Sequence, residues 1–404
     1  MKAGWEIRPL GEVCTIKPPK AEAKKKLTGG DEVSFAPMED LGIGVKYLQP
    51  RRTRRLDDVS GSYTYFADGD VLLAKITPCF ENGKLGVARG LTNGVGFGSS
   101  EYIVLRPEPA LDAEFLYYYL ARPIFLEEGA RTMMGAVGHK RVTKEFVESY
   151  LIPVPPLPEQ KRIVAILDEA FEGIATAKAN AEKSLQNASE LLNTLTSQAF
   201  TQLNEAQVSR ALGSVCKFEN GDRGKNYPGK EHRVARGVPF INAGHLTPQG
   251  VDFSEMDYIS PERFSLLGNG KIRPQDVLFC LRGSLGKFAS VGSLSCGAIA
   301  SSLVILRPTH ELDHGYLLCF LGSTLCRAQI DAYKGGAAQP NLGAKDLKRF
   351  ELPLPSLEVQ RQVANQITEC QERVVELMDS INQKLAALGE LKESLLRQAF
   401  TGQL

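Results

Sequence analysis

The chain is poor in the residues that build metal sites and disulfide frameworks. It has 404 residues, five histidines and one tryptophan, and its eight cysteines (14, 79, 216, 280, 296, 319, 326 and 370) contain no Cys-x-x-Cys pair. The histidines (139, 232, 245, 310 and 314) stand at no zinc spacing to a cysteine, so no metal site is expected. No apolar run approaches the ~18–20 residues of a membrane span. The opening Met1-Lys-Ala-Gly-Trp-Glu-Ile-Arg-Pro9 has no apolar signal region, so a cytoplasmic location with reduced, mostly buried thiols is expected. Neither sign of charge dominates: 48 Lys and Arg face 47 Asp and Glu, net +1. That balance excludes a uniformly basic coat and leaves room for local basic faces.

Catalytic motifs are also missing. Gly94-Val-Gly-Phe-Gly98 is followed by a strand-like run where a phosphate loop needs a helix N-terminus, and it reads as a turn. Gly283-Ser-Leu-Gly-Lys287 lacks the phosphate-loop spacing. Pro155-Pro156 follows Val154, so the Asn/Asp-Pro-Pro-aromatic motif of amino-methyltransferases is absent, and Glu81-Asn-Gly-Lys84 has no partner Asp at nuclease spacing.

What the sequence does contain, it contains twice. Gly11-Glu-Val-Cys14 returns as Gly213-Ser-Val-Cys216, and Asp70-Val-Leu-Leu73 as Asp276-Val-Leu-Phe279. Ser100-Glu-Tyr-Ile-Val-Leu-Arg-Pro107 returns as Ser301-Ser-Leu-Val-Ile-Leu-Arg-Pro308. Beyond these the offset settles at 200: Gln160 matches Gln360, and Gln198-Ala-Phe-Thr201 matches Gln398-Ala-Phe-Thr401. Ordered matches along the whole chain mark a duplication. The drifting offset places the insertions between residues 14 and 106.

Each repeat has a front and a back part. The front parts, 1–155 and 204–355, carry short apolar runs bounded by turn residues, such as Val71–Ala74 and Leu303–Leu306, which read as strands. Asp112 and Asp313 read as N-caps of short helices. The back parts, 156–203 and 356–404, are almost free of proline: none lies between Pro158 and Pro228, and none follows Pro355. Their apolar residues step by three and four, the pattern of a coiled-coil seam. The seam is expected at Ile163, Leu167, Ile174, Leu185, Leu192 and Leu195, facing Val363, Ile367, Val374, Leu377, Ile381, Leu385, Leu388 and Leu395. Both stripes share two consecutive four-residue steps, 177–181–185 and 377–381–385. A helix of ~45 residues is ~65 Å long, too long to be covered by its own front domain. Antiparallel pairing of the two helices, returning the chain towards its start, is therefore expected. The fold class is α+β: two repeated, strand-rich mixed α/β domains joined by two long antiparallel helices in a pseudo-two-fold cyclic arrangement.

The net charge conceals a partition. Both helical segments are net −2, while residues 204–355 are net +4. Positive groups cluster at Lys20 with Lys24–Lys26, across Lys46–Arg55, and across Lys217–Arg236. Arg and Lys on adaptable loops suit phosphate and base-edge contacts. The candidate DNA contacts are Arg51, Arg52, Arg54, Arg55, Tyr63 and Lys84 in the first repeat. In the second they are Arg223, Lys225, Tyr227, Arg233, Arg236 and Arg282.

Two similar but unlike domains, two spacer helices and no catalytic motif resemble the specificity subunit of type I restriction–modification enzymes. Its most specific pieces are Ile152-Pro-Val-Pro-Pro-Leu-Pro-Glu-Gln160, Leu352-Pro-Leu-Pro-Ser-Leu-Glu-Val-Gln360 and the two Gln-Ala-Phe-Thr tetrapeptides. One departure is Glu358-Val-Gln360, where the family favours Pro-x-x-Glu-Gln. The resemblance implies that the front domains are target-recognition domains, each reading half of an asymmetric bipartite site in double-stranded DNA. It implies two methyltransferase subunits docked on the helices, and restriction subunits. It also implies no cofactor on this chain: S-adenosylmethionine belongs to the methyltransferase, ATP and Mg to the restriction subunit. A single-chain enzyme and an adaptor that binds no DNA are the alternatives; activity of the isolated chain or a missing gel shift would favour them.

Overall fold

Proline punctuation sets where the long helices begin. The first helix, Leu157–Ala206, follows Pro155-Pro156 and carries Pro158 in its first turn, where the missing N–H costs no intrahelical bond. The second, Leu357–Thr401, is capped by Ser356, whose Oγ accepts from the Val359 amide at 3.5 Å. It ends at Gly402 (φ +77°), and the Gln403 amide donates back to the Gln398 carbonyl at 3.0 Å. This is the left-handed terminus that glycine reaches without strain. The computed structural model describes residues 4–136, 138–206, 208–335 and 341–404. It divides into two units, residues 1–181 with 383–404, and residues 182–382, so each unit holds part of both long helices.

In the first unit a central sheet has the order Cys14–Ile16, Tyr102–Pro107, Val71–Ala74, Leu85–Val87, all neighbours antiparallel. All four residues of Val71–Ala74 are buried, because both faces of the sheet are covered. Val71 and Leu73 enter one core with the helix Ala113–Leu120; Leu72 and Ala74 enter another with Leu41 and Phe66. That two-residue alternation explains a run that reads as uniformly apolar. A second sheet has the order Arg52–Arg55, Glu32–Ala36, Val95–Gly98, Thr64–Ala67. Gly94–Gly98 is thus largely a buried strand rather than the expected turn. Gly96 is required there, since a Cβ would lie 2.1 Å from the Phe66 ring.

The second unit repeats the central sheet in the same order: Cys216–Asn220, Leu303–Pro308, Val277–Cys280, Phe288–Ser290. Val277 and Phe279 face one core, and Leu278 and Cys280 the other. Its second sheet differs, running Arg233–Val234, Tyr258–Ile259, Val238–Ile241, Ala298–Ile299. The duplication is strict on the helix-facing side and loose on the far side.

Gln160 and Gln360 explain much of the strict part. Both are fully buried. The Gln160 Nε2 donates to the carbonyls of Ala110 (2.8 Å) and Pro155 (2.7 Å), and its Oε1 accepts from the Asp112 amide (2.7 Å). Gln360 repeats this with Glu311, Pro355 and Asp313 at 2.8–2.9 Å. Asp112 and Asp313 are N-caps, as expected. The Gln-Ala-Phe-Thr phenylalanines also have a structural task. In the first unit Phe400 meets Phe115 and Tyr119, each with ring centroids 5.0 Å away; in the second, Phe200 meets Tyr316 at 5.2 Å and Phe320 at 5.9 Å.

Within each unit the helix segments run antiparallel. Arg162 donates to the Leu404 carbonyl at 2.6 Å, and Lys392 lies 5.1 Å from the Phe171 ring centre, in the first unit. Phe200 shares a core with Ala364 and Ile367 in the second. Ile163, Leu167, Ile367, Val374 and Ile381 are buried, and Ile174, Leu185, Leu192, Val363, Leu385, Leu388 and Leu395 are half-buried. Leu195 and Leu377 correct the expected seam: they are 41% and 49% exposed. Thr196 is buried and Met378 half-buried in their place. Each stands three residues after its predecessor in the stripe, Leu192 and Val374; at about 100° per residue a three-residue step falls short of a full turn, so the next residue faces inward.

Candidate nucleic-acid interface

The arginine-rich stretch of the first unit is a strand rather than an adaptable loop. Arg52–Arg55 pairs antiparallel with Glu32–Phe35 at the edge of the second sheet, and all four residues are exposed. Acidic neighbours already engage two of these cationic candidates: Arg51 lies 3.7 Å from Asp40, and Arg52 lies 3.2 Å from Glu39. Arg54 stands 4.4 Å above the Phe35 ring, which Tyr63 meets edge-on at 4.8 Å. Arg55 is exposed. Lys84 is half-buried and donates to the Met38 carbonyl at 2.9 Å, a structural role.

Lys46, at the start of the same cluster, is also occupied. Its ammonium donates to Glu114 and, at 2.7 Å, to Asp168 on the first long helix, where the Tyr118 hydroxyl also donates. Burial would lower its pKa, but the hydrogen bonds to Asp168 and Glu114 outweigh it and the pKa is raised.

In the second unit the candidates separate into two groups. Arg233 and Tyr227 pack inward: the Arg233 guanidinium lies 4.0 Å from the Phe240 ring centre and 3.8 Å from Asp257, and Tyr227 meets Phe240 at 5.8 Å. Both are half-buried at the edge of the core, with the Arg233 guanidinium held against an aromatic face. Arg223, Lys225, Arg236 and Arg282 are exposed. Arg223 donates to the Ser301 carbonyl at 3.1 Å.

Both units bury an arginine–aspartate fork beside the central sheet. Arg106 Nε and Nη2 donate to the two oxygens of Asp70 at 2.7 and 2.8 Å, and Nη1 reaches Glu22. Arg307 does the same to Asp276 at 2.7 Å twice, with Glu219 at 3.2 Å. The Asp70 fork holds the Arg106 guanidinium above its ordinary pKa, and Arg106 holds Glu22 below its own. These are structural pairs, since both aspartates are buried.

The strongest candidate surface was not singled out by sequence runs. A cleft of about 470 Å³ in the first unit is rimmed by Lys17, Lys20, Lys75, Arg141 and Lys144, over a floor that includes Ile16, Tyr65, Ile103 and Val142. Tyr63 is the one sequence candidate lining it. Lys75 donates to the Ser100 carbonyl at 3.0 Å, and Lys20 to the Gly61 carbonyl at 2.7 Å. Two acids lie beside the rim: Glu101, bonded to Arg141 through two contacts of 2.9 Å and 4.0 Å from Lys75, and Glu148, 2.6 Å from Lys144. Lys17 is exposed with φ +61°, a left-handed backbone uncommon for a side-chain-bearing residue. The rim residues span 128 positions of sequence, so no window shows them. Comparing the repeats position by position would have revealed them, because the second repeat is not basic there.

Among the described residues no group of three His, Cys, Asp or Glu is placed to hold a metal ion, and no helix is long and apolar enough to cross a membrane.

The model of the type I restriction modification DNA specificity domain matches residues 2–186 and 204–387, one copy per repeat. The type I restriction enzyme EcoEI specificity subunit of Escherichia coli is 33% identical over 217 residues, 53% of this chain and 36% of that protein. The Escherichia coli EcoAI specificity subunit is 38% identical over 165 residues, 40% of this chain and 27% of that protein. The matches therefore span about a third of the length of those relatives. A chain of a solved type I restriction–modification system shares the fold at TM-score 0.80 and 22% identity, covering 100% of this chain and 99% of that one.

Proposed function

Because the chain belongs to the type I restriction–modification DNA specificity family, we propose that it is the DNA-reading subunit of such a system. Each unit reads one half of a bipartite site in double-stranded DNA, and the paired helices set the gap between halves. The observation that carries this reading is the way the repeats differ. The central sheet, the arginine–aspartate fork and the glutamine clamp are kept, while the second sheets and the exposed cationic loops diverge. A frame kept twice under two unlike surfaces suits a protein that must present the same body to DNA but read two different sequences. The target is therefore asymmetric.

The chain itself is non-catalytic in this reading. Two methyltransferase subunits dock on the helices and bring S-adenosylmethionine to methylate adenine, and restriction subunits bring ATP and Mg. Methylation of a base needs it extruded from the duplex, so a catalytic partner sits beside each reading unit. The assembly works in the cytoplasm.

The test is methylation mapping in a host carrying this chain with its methyltransferase partner, before and after residues 1–155 are exchanged for the corresponding segment of a relative. One half of the methylated sequence is expected to change. A change in both halves, or no methylation dependent on the chain, would overturn the reading.

A further inference from the structure

The two units can be superposed position by position through their hydrogen bonds, and the basic cleft then proves to be one-sided. In the first unit the Lys75 amide donates to the Glu101 carbonyl at 2.9 Å, and the Val142 amide to the Lys75 carbonyl at 2.9 Å. In the second, the Leu281 amide donates to the Ser302 carbonyl at 2.8 Å, and the Leu342 amide to the Leu281 carbonyl at 2.9 Å. Lys75 thus corresponds to Leu281. Ile16 pairs with Leu105 as Phe218 pairs with Leu306, which matches Lys17 to Glu219. The bridge Met134–Arg141 corresponds to Gly335–Asn341, and the helix Lys144–Ser149 to Ala344–Leu347. At four matched positions the first unit has Lys, Lys, Arg and Lys where the second has Glu, Leu, Asn and Ala; in return the second has the exposed Arg282 where the first has Ile76, so the balance still favours the first unit by four cations to one. Glu219 is moreover drawn onto Arg307 at 3.2 Å and turned to a structural use.

We infer that the cleft of the first unit, and not its counterpart in the second, grips the sugar–phosphate backbone of one strand of duplex DNA. The inference rests on the DNA-reading function proposed above and says which unit supplies sequence-independent affinity. Phosphates sit against Lys17, Lys75 and Lys144, and the deoxyribose lies over the apolar floor of Ile16, Ile103 and Val142. Glu101 pairs with Arg141 and lies 4.0 Å from Lys75, and Glu148 pairs with Lys144 at 2.6 Å, so five rim cations (Lys17, Lys20, Lys75, Arg141 and Lys144) face two acids and the rim keeps a positive surplus. A rim that holds phosphates regardless of sequence anchors one end of the protein while the other unit samples bases.

The probe is a random-sequence duplex of about 40 base pairs labelled for fluorescence anisotropy, with the full chain titrated at several salt concentrations. Each phosphate contact contributes about 0.9 to the slope of log K against log salt. The pair Lys17→Glu with Lys144→Ala installs what the second unit already carries, so the fold is expected to tolerate it. The slope should fall in magnitude by about 2. Lys144→Ala alone should lower it by about 1, and it serves if the double variant fails to give the parental thermal transition. The control, Lys183→Glu with Lys384→Ala, changes the net charge equally at exposed positions of the long helices. If cleft and control variants shift the slope alike, the inference falls while the DNA-reading function stands. If the parental chain binds no duplex at any salt concentration, both fall.

Discussion

Replacing Gln160 by alanine should destabilise the first unit by about 3–5 kcal/mol. The side chain is fully buried and satisfies three backbone groups: the carbonyls of Ala110 and Pro155, and the amide of Asp112. Leaving a buried polar group unpaired costs about 1–3 kcal/mol. Three groups would cost about 3–9 kcal/mol, and water entering the vacated space recovers part of the loss towards the lower half of that range. The readout is built into the sequence. The single tryptophan, Trp5, packs against the core of the first unit, so its fluorescence follows that unit. With a urea m-value of about 3 kcal/mol/M, the midpoint should drop by about 1–1.7 M. Gln160→Glu adds a sign test. A carboxylate can still accept from the Asp112 amide but faces two carbonyls, so burial and repulsion raise its folded pKa. Its penalty is then greatest above that value and eases as the pH falls and the acid protonates. A midpoint shift of less than about 0.3 M for Gln160→Ala would refute the clamp.

Arg106→Ala leaves Asp70 buried without its fork and should cost about 3–5 kcal/mol by the same Trp5 fluorescence, whereas Arg106→Lys should recover only part. Gln275 holds φ +66° at the position where the first repeat has Gly69 at φ +87°. Gln275→Gly should therefore raise stability by about 1 kcal/mol or less, read as a Tm increase of about 1–3 °C by circular dichroism. Burial pushes the thiols of Cys14, Cys216 and Cys326 up to about 12 and that of Cys319 to about 11, while Cys296 is exposed. Iodoacetamide at pH 8 should thus modify Cys296 first and spare those four in the native chain, as peptide mass mapping would show.

Some of this was legible in the sequence because it depends on local pattern. The duplication, the two long helices after their prolines, the Asp112 and Asp313 caps and most of the seam follow from spacing along the chain. Their causes lie within one or two turns of each residue, and the same signal is written twice. Even Gln160 and Gln360 stand out as matched positions, although their three backbone partners do not. Tertiary structure alone decided which charges are free. Lys46 looks like a member of a basic cluster, yet Asp168, distant in sequence, claims it, and Arg233 packs on Phe240 across a turn and beside Asp257 on the neighbouring segment. Conversely, Lys17 with Lys20, Lys75, and Arg141 with Lys144 stand far apart along the chain, and only folding gathers them on one rim. A helix or a cap is settled by neighbours a few residues away, whereas the fate of a charge depends on which distant groups the fold brings within a few ångströms of it.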